Sequence, residues 1–99
     1  MNSEIDSDGT QRWRNAKGQL HRDGDQPAEI YANGAKLWYR DGKFFGRSLA
    51  KYFATLLKKA HGQKAKLDLK RRWAAALRRE NQNLEASNLE LEIAAMEAR

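Results

Sequence analysis

Hydrophobic and polar residues alternate in the first half of the chain, whereas the second half follows a helical period. The alternating half contains two strong turn signals, Asn33-Gly34 and Asp41-Gly42, which favour the positive φ angles of two-residue hairpin turns. A two-residue turn at Asn33-Gly34 would place Ile30 opposite Leu37 on neighbouring strands. The pattern predicts a three-stranded antiparallel meander over about residues 28–46.

The predicted register distributes the side chains of the meander over two faces, because neighbouring residues of a strand point to opposite sides. The second turn places Phe44 opposite Tyr39 and Phe45 opposite Trp38. The apolar face then consists of Ala28, Ile30, Leu37, Tyr39 and Phe44. The opposite face carries Tyr31, Trp38 and Phe45 among Glu29, Lys36 and Arg40.

The segment before the meander looks like an earlier copy of it. Residues 12–14 and 19–21 flank a turn-like stretch at 15–18, which suits a longer hairpin. Asp8-Gly9 precedes Trp13 by the same spacing at which Asn33-Gly34 precedes Trp38. This spacing predicts an internal repeat with a period of 24–25 residues.

The segment from His21 to Ala28 reads HRDGDQPA, and it is followed by Asn33-Gly34 and by the run WYRDGK that starts at Trp38. This arrangement resembles the MORN-like β-hairpin repeats of phage, giant-virus and bacterial proteins. The resemblance covers about residues 8–46 and stops after Gly42. It implies structural and interaction units without chemistry of their own. It also implies a phage-encoded accessory or host-modulating protein that acts in the host cytoplasm.

Two helices are predicted after the meander. Ser48 is a favourable N-cap, and Gly62 is a natural end for the first helix, which we place at about 48–61. Its apolar stripe consists of Leu49, Phe53, Leu56, Leu57 and Ala60. We expect this helix to cap the apolar face of the sheet. Residues 63–99 contain neither glycine nor proline and predict one helix of about 35 residues.

Leucines recur every seven residues along the long helix, at Leu77, Leu84 and Leu91. Placing them at d positions of a heptad puts Asn81 and Asn88 at a positions, where asparagine fixes register and partner number. A second apolar stripe consists of Ala86, Leu89, Ile93 and Met96. We therefore predict coiled-coil pairing with a protein partner or a second copy of the chain. The predicted protein-binding residues are Leu77, Leu84, Asn88, Leu89, Leu91, Ile93 and Met96.

The net charge of +6 comes from three zones of different sign. Residues 1–46 are neutral, residues 47–79 hold eleven basic side chains and one acidic one, and residues 80–99 hold five glutamates and Arg99. Antiparallel pairing of two copies would match the basic zone with the acidic zone, whereas an a-position asparagine is better known from parallel pairs. Both orientations remain open.

The basic zone predicts an alternative function, which is non-sequence-specific nucleic-acid binding through residues 58–79. Lysine and arginine release counterions from phosphates, so that such binding weakens steeply with salt. The candidate residues are Lys58, Lys59, Lys64, Lys66, Lys70, Arg71, Arg72, Arg78 and Arg79. A self-assembling structural protein is the third possibility.

Several function classes are not expected. The chain has no cysteine, which removes disulfides and thiolate metal sites. His21 and His61 lie 40 residues apart with no acidic partner at ligand spacing, and no catalytic motif is present. We expect no enzyme, no metal and no cofactor. Without an apolar run of about 20 residues, we also expect no membrane span and a cytoplasmic location.

The predicted architecture is α+β. It consists of a flexible N-terminus at 1–9, a MORN-like hairpin unit at 10–46, a capping helix at 47–62 and the long helix at 63–99.

Overall fold

A computed structural model describes residues 2–98 of the chain. It confirms the α+β class, with five antiparallel strands followed by three helices. The strands are β1 (Asn2–Ile5), β2 (Gln11–Arg14), β3 (Glu29–Ile30), β4 (Lys36–Arg40) and β5 (Lys43–Gly46). The helices are α1 (Leu49–Lys59), α2 (Gln63–Arg79) and α3 (Asn83–Glu97). The chain forms two units, one ending at Tyr52 and the other beginning at Phe53.

The strands of the first unit form one sheet in the order β1-β2-β3-β4-β5, and every pair is antiparallel. Strand β1 comes from the segment that the sequence analysis assigned to a flexible N-terminus. It pairs with β2, with Ser3 opposite Trp13 and Ile5 opposite Gln11. The meander is therefore longer than the three strands predicted.

The turn at Asn33-Gly34 has a three-residue loop rather than the predicted two-residue loop. The Gly34 N–H donates to the Tyr31 carbonyl at 2.9 Å, and the Tyr31 N–H donates to the Ala35 carbonyl at 2.9 Å. Gly34 has φ +90°, whereas Asn33 does not have a positive φ. The Asn33 side chain instead accepts a hydrogen bond from the Ala35 N–H. This geometry is that of a type I turn followed by a glycine bulge.

The extra loop residue moves the register of β3 against β4 by one position. Ile30 lies opposite Lys36, and Glu29 lies opposite Leu37, so the predicted pairing of Ile30 with Leu37 is wrong. The loops at 7–9 and 32–34, which lie 25 residues apart, share the same backbone hydrogen-bond pattern.

The second turn is confirmed, but the pairing beyond it differs from the prediction. Asp41 has φ +49° and Gly42 has φ +81°, as a type I′ turn requires, and Phe44 lies opposite Tyr39. A bulge then follows, so that Trp38 lies opposite Gly46 rather than opposite Phe45.

These two changes overturn the predicted assignment of the sheet faces, because a slip of one residue moves side chains to the other face. Trp38, predicted on the polar face, is 3% exposed, whereas Phe44, predicted on the apolar face, is 52% exposed. The ring of Tyr52, at the start of α1, packs on Trp38 with the centroids 6.5 Å apart. Asp25 connects these two rings. Its backbone carbonyl accepts a hydrogen bond from Trp38 Nε1, and its side-chain carboxylate accepts one from the Tyr52 hydroxyl.

Helix α1 begins as predicted, because Ser48 Oγ accepts a hydrogen bond from the Lys51 N–H at 3.2 Å. In the second unit, Phe53 is fully buried, and its ring stacks on Trp73 with the centroids 5.7 Å apart and the planes at 10°.

The prediction of one helix over 63–99 is wrong, because the chain turns between α2 and α3. Asn81 has φ +60°, its N–H donates to the Arg78 carbonyl, and the Gln82 N–H donates to the Leu77 carbonyl. This pattern is the Schellman motif, which normally uses glycine and sometimes asparagine at the left-handed position. Helices α2 and α3 then pack as an antiparallel hairpin, and the heptad of leucines is interrupted.

Candidate functional site

The inner face of α3 is the face that packs against α2. Ala86, Leu89 and Ile93 are buried at helical spacing along it. On α2 the buried residues are Ala74, Ala76 and Leu77. The stripe of Ala86, Leu89 and Ile93, which we considered for a partner, therefore forms part of the core of the hairpin.

The opposite side of α3 is exposed and carries no charge along its length. It consists of Leu84, Ser87, Asn88, Leu91, Ala94 and Ala95, all of them exposed, and we call it the α3 outer face. The spacing of i, i+3, i+4 and i+7 places these six residues on one side of the helix. Leu84 is 72% exposed and Leu91 is 71% exposed. These leucines are two of the five large hydrophobic residues that are exposed among residues 3–98.

The glutamates of α3 lie beside the outer face, and three of them pair with cations of α2. Glu92 pairs with Lys70, and Glu97 pairs with Arg71. Glu90 accepts a hydrogen bond from Arg78 Nε at 3.2 Å, and this contact lowers the pKa of the Glu90 carboxyl. Three of the four glutamates of α3 are therefore paired within the hairpin, and the outer face itself carries no charge.

The structure divides the predicted protein-binding residues into two groups. Leu84, Asn88 and Leu91 lie together on the α3 outer face. The others lie inside the hairpin or at its edge: Leu77, Leu89 and Ile93 are buried, and Met96 is partly buried. Ser87, Ala94 and Ala95 were not predicted as binding residues. Their signal was the absence of any charged residue at i+3, i+7, i+10 and i+11 from Leu84.

The predicted nucleic-acid-binding residues lie on two helices, with Lys58 and Lys59 in α1 and the other seven in α2. Lys70, Arg71 and Arg78 pair with glutamates of α3. All nine except Lys70 are exposed. Trp73, which lies among these cations in the sequence, packs on Phe53 and belongs to the core.

The imidazole ring of His21 is held by hydrogen bonds to two neighbouring turns. Its Nδ1 accepts a hydrogen bond from the Asp41 N–H at 3.0 Å, so Nε2 is free to donate to Asp23 Oδ1 at 2.8 Å. Over residues 2–98, no group of three or more histidine, aspartate or glutamate side chains could hold a metal ion. No helix in the same range has both the length and the apolar character needed to cross a membrane.

Comparison with known proteins gives no family assignment. No protein-family model matches the sequence, and no similar curated protein or solved structure was found. The resemblance of residues 8–46 to MORN-like repeats therefore stays a prediction.

Proposed function

We propose that this protein is a non-enzymatic protein–protein interaction module that engages its partner through the α3 outer face. The observation that carries the proposal is the exposure of Leu84 and Leu91, at 72% and 71%, on a helix whose other side is already buried. Exposed large apolar side chains that share one uncharged face of a helix are a feature of interaction surfaces. The predicted MORN-like character of residues 8–46 supports an interaction role and a phage-encoded accessory protein.

The chemistry of the α3 outer face favours an apolar helix of another protein as the partner. Ala94 and Ala95 are small, so a second helix axis can approach closely, and Leu84 and Leu91 supply side chains that fit between those of the partner. Since the face carries no charge, it contributes no ion pair to the complex. We expect binding that changes little between low and high salt.

Replacement of both outer-face leucines by aspartate tests the proposal. The Leu84→Asp/Leu91→Asp variant should lose at least about a hundredfold in partner affinity, because two leucines each contribute about 1.5–3 kcal/mol when buried. The measurement is capture by the tagged chain from nuclease-treated lysate of the organism that encodes it. The control is Ala54→Asp/Ala75→Asp, which adds the same charge at two exposed alanines of α1 and α2.

The control variant should capture the partner as the unchanged chain does. If the leucine variant also keeps its capture, or if both variants lose it equally, the α3 outer face is not the docking surface. A captured species with the mass of the chain itself would identify a second copy as the partner.

Nucleic-acid binding through α2 is the second candidate function. The observation in its favour is that Arg72 and Arg79, seven residues apart on α2, share one side of the helix and are both exposed. In the same capture experiment, this function predicts recovery that disappears with nuclease and falls steeply with salt. Recovery that survives both treatments would contradict it.

A further inference from the structure

An open apolar cleft lies where β5 leads into α1. It has a volume of about 360 Å³ and is lined by Phe44, Phe45, Gly46, Arg47 and Lys51. Phe44 is the most exposed aromatic side chain among the described residues, at 52%. Its ring packs on Tyr39 with the centroids 5.3 Å apart, so the ring is supported within the sheet while half of its surface faces solvent.

The backbone at Gly46 brings basic side chains to this cleft. Gly46 has φ +144°, and a Cβ at this position would lie 2.5 Å from the Cβ of Lys51. Only glycine permits this approach, which places Arg47 and Lys51 beside the two phenylalanines. Lys43 precedes Phe44 on the same strand and is also exposed.

The segment that forms the cleft carries charge of one sign. No acidic residue occurs between Asp41 and Asp68. Within the first unit, this segment contains the basic residues Lys43, Arg47 and Lys51. A ligand that fits such a cleft has a flat apolar ring for Phe44 and negative charge for the lysine and arginine side chains.

We propose that this cleft binds single-stranded nucleic acid, with one base stacked on Phe44 and the neighbouring phosphates bound by Arg47 and Lys51. An unpaired nucleotide carries both the flat ring and the anion, and aromatic side chains beside cations are the usual platform for single strands. A duplex keeps its bases stacked inside the helix and cannot offer one to Phe44. The proposal depends neither on the α3 outer face nor on the cations of α2.

The test is the affinity of the full chain for a fluorescently labelled dT12 strand, measured by anisotropy at low and moderate salt. Phe44→Ala should weaken binding about 5- to 100-fold, whereas Phe44→Trp should keep it within about threefold, because stacking needs a ring and not phenylalanine itself. Arg47→Gln should make the salt dependence shallower by about 0.7 in the log–log slope. Tyr31→Ala, at another exposed aromatic residue next to strand β3, is the matched control and should leave the affinity unchanged.

Any of the following results would overturn the proposal. The first is no binding of dT12, or equal binding by the chain and Phe44→Ala. The second is equally tight binding of a 12-base-pair duplex, which would point to the cations alone. The third is tighter Phe44-dependent binding of an acidic peptide that contains phenylalanine, which would make the cleft a peptide site. The fourth is binding of dTMP as tight as that of dT12, which would make it a site for a free nucleotide.

Discussion

Replacing Phe53 with alanine is expected to lower the free energy of unfolding by about 3–5 kcal/mol. The side chain is completely buried, and its ring stacks on Trp73 in the second unit. Truncation removes this ring and leaves a cavity beside Trp73, so both the transfer free energy and the packing contacts are lost. The measurement is urea unfolding followed by circular dichroism at 222 nm, where the helices dominate the signal.

The control for this prediction is Phe44→Ala, which removes the same side chain from an exposed position. Surface substitutions usually change stability by no more than about 0.5 kcal/mol, although the contact with Tyr39 adds a small cost here. An equal loss of stability in the two variants would contradict the complete burial of the Phe53 side chain.

The second large effect is expected at Trp38, where alanine should cost about 3–5 kcal/mol. Trp38 is 3% exposed, its ring packs on Tyr52, and its Nε1–H donates to the Asp25 carbonyl at 3.1 Å. Alanine removes the ring and leaves that carbonyl without this donor. Urea unfolding followed by the fluorescence of the remaining tryptophans measures the change.

Trp13 provides the matched control, because it occupies the corresponding position 25 residues earlier in the predicted repeat. It is only partly buried, and the Arg22 guanidinium lies 3.7 Å from the centre of its ring. We expect Trp13→Ala to cost about 1–2 kcal/mol, since a partly exposed ring with a cation contact contributes less than a buried one. A cost equal to that of Trp38→Ala would contradict the unequal burial of the two tryptophans.

Local turn and capping signals were sufficient to predict the class of the fold and several of its details. Asp41-Gly42 forms the expected type I′ turn, and Ser48 is the N-cap of α1. Both signals act within a few residues, so they do not depend on the rest of the structure. The sheet and the helical half follow from such signals together with the hydrophobic period.

The sequence could not predict the register of the sheet, because Asn33-Gly34 suits two loops of different length. Glycine occupies a left-handed position in either loop, but asparagine does so only in the shorter one. The longer loop shifts the pairing by one residue, and the bulge beside Trp38 adds a second irregularity. The sequence alone therefore could not show which face of the sheet is buried; the structure shows that it is the face with Trp38.

The sequence did not predict that α2 ends at Arg79, because the residue that ends the helix is also an ambiguous signal. Asn81 adopts the left-handed conformation that ends the helix. This position is usually occupied by glycine, so an asparagine there gives a weaker sequence signal for a helix end. Once the chain turns there, Leu89 and Ile93 face α2, whereas Leu84 and Leu91 face away from it. Both apolar stripes of α3 could be identified from the sequence. Only the hairpin of α2 and α3 shows that the stripe with Leu89 and Ile93 is buried and that the stripe with Leu84 and Leu91 is exposed.

Site-directed crosslinking from α3 tests whether the α3 outer face is the partner-binding surface. The chain has no cysteine, so Ala95→Cys on this face and Ala75→Cys on the exposed side of α2 can each carry one photoactivatable group. In nuclease-treated lysate of the organism that encodes the chain, position 95 should give one dominant adduct that position 75 does not give. Equal adducts at both positions, adducts only at position 75, or none at all would contradict the account.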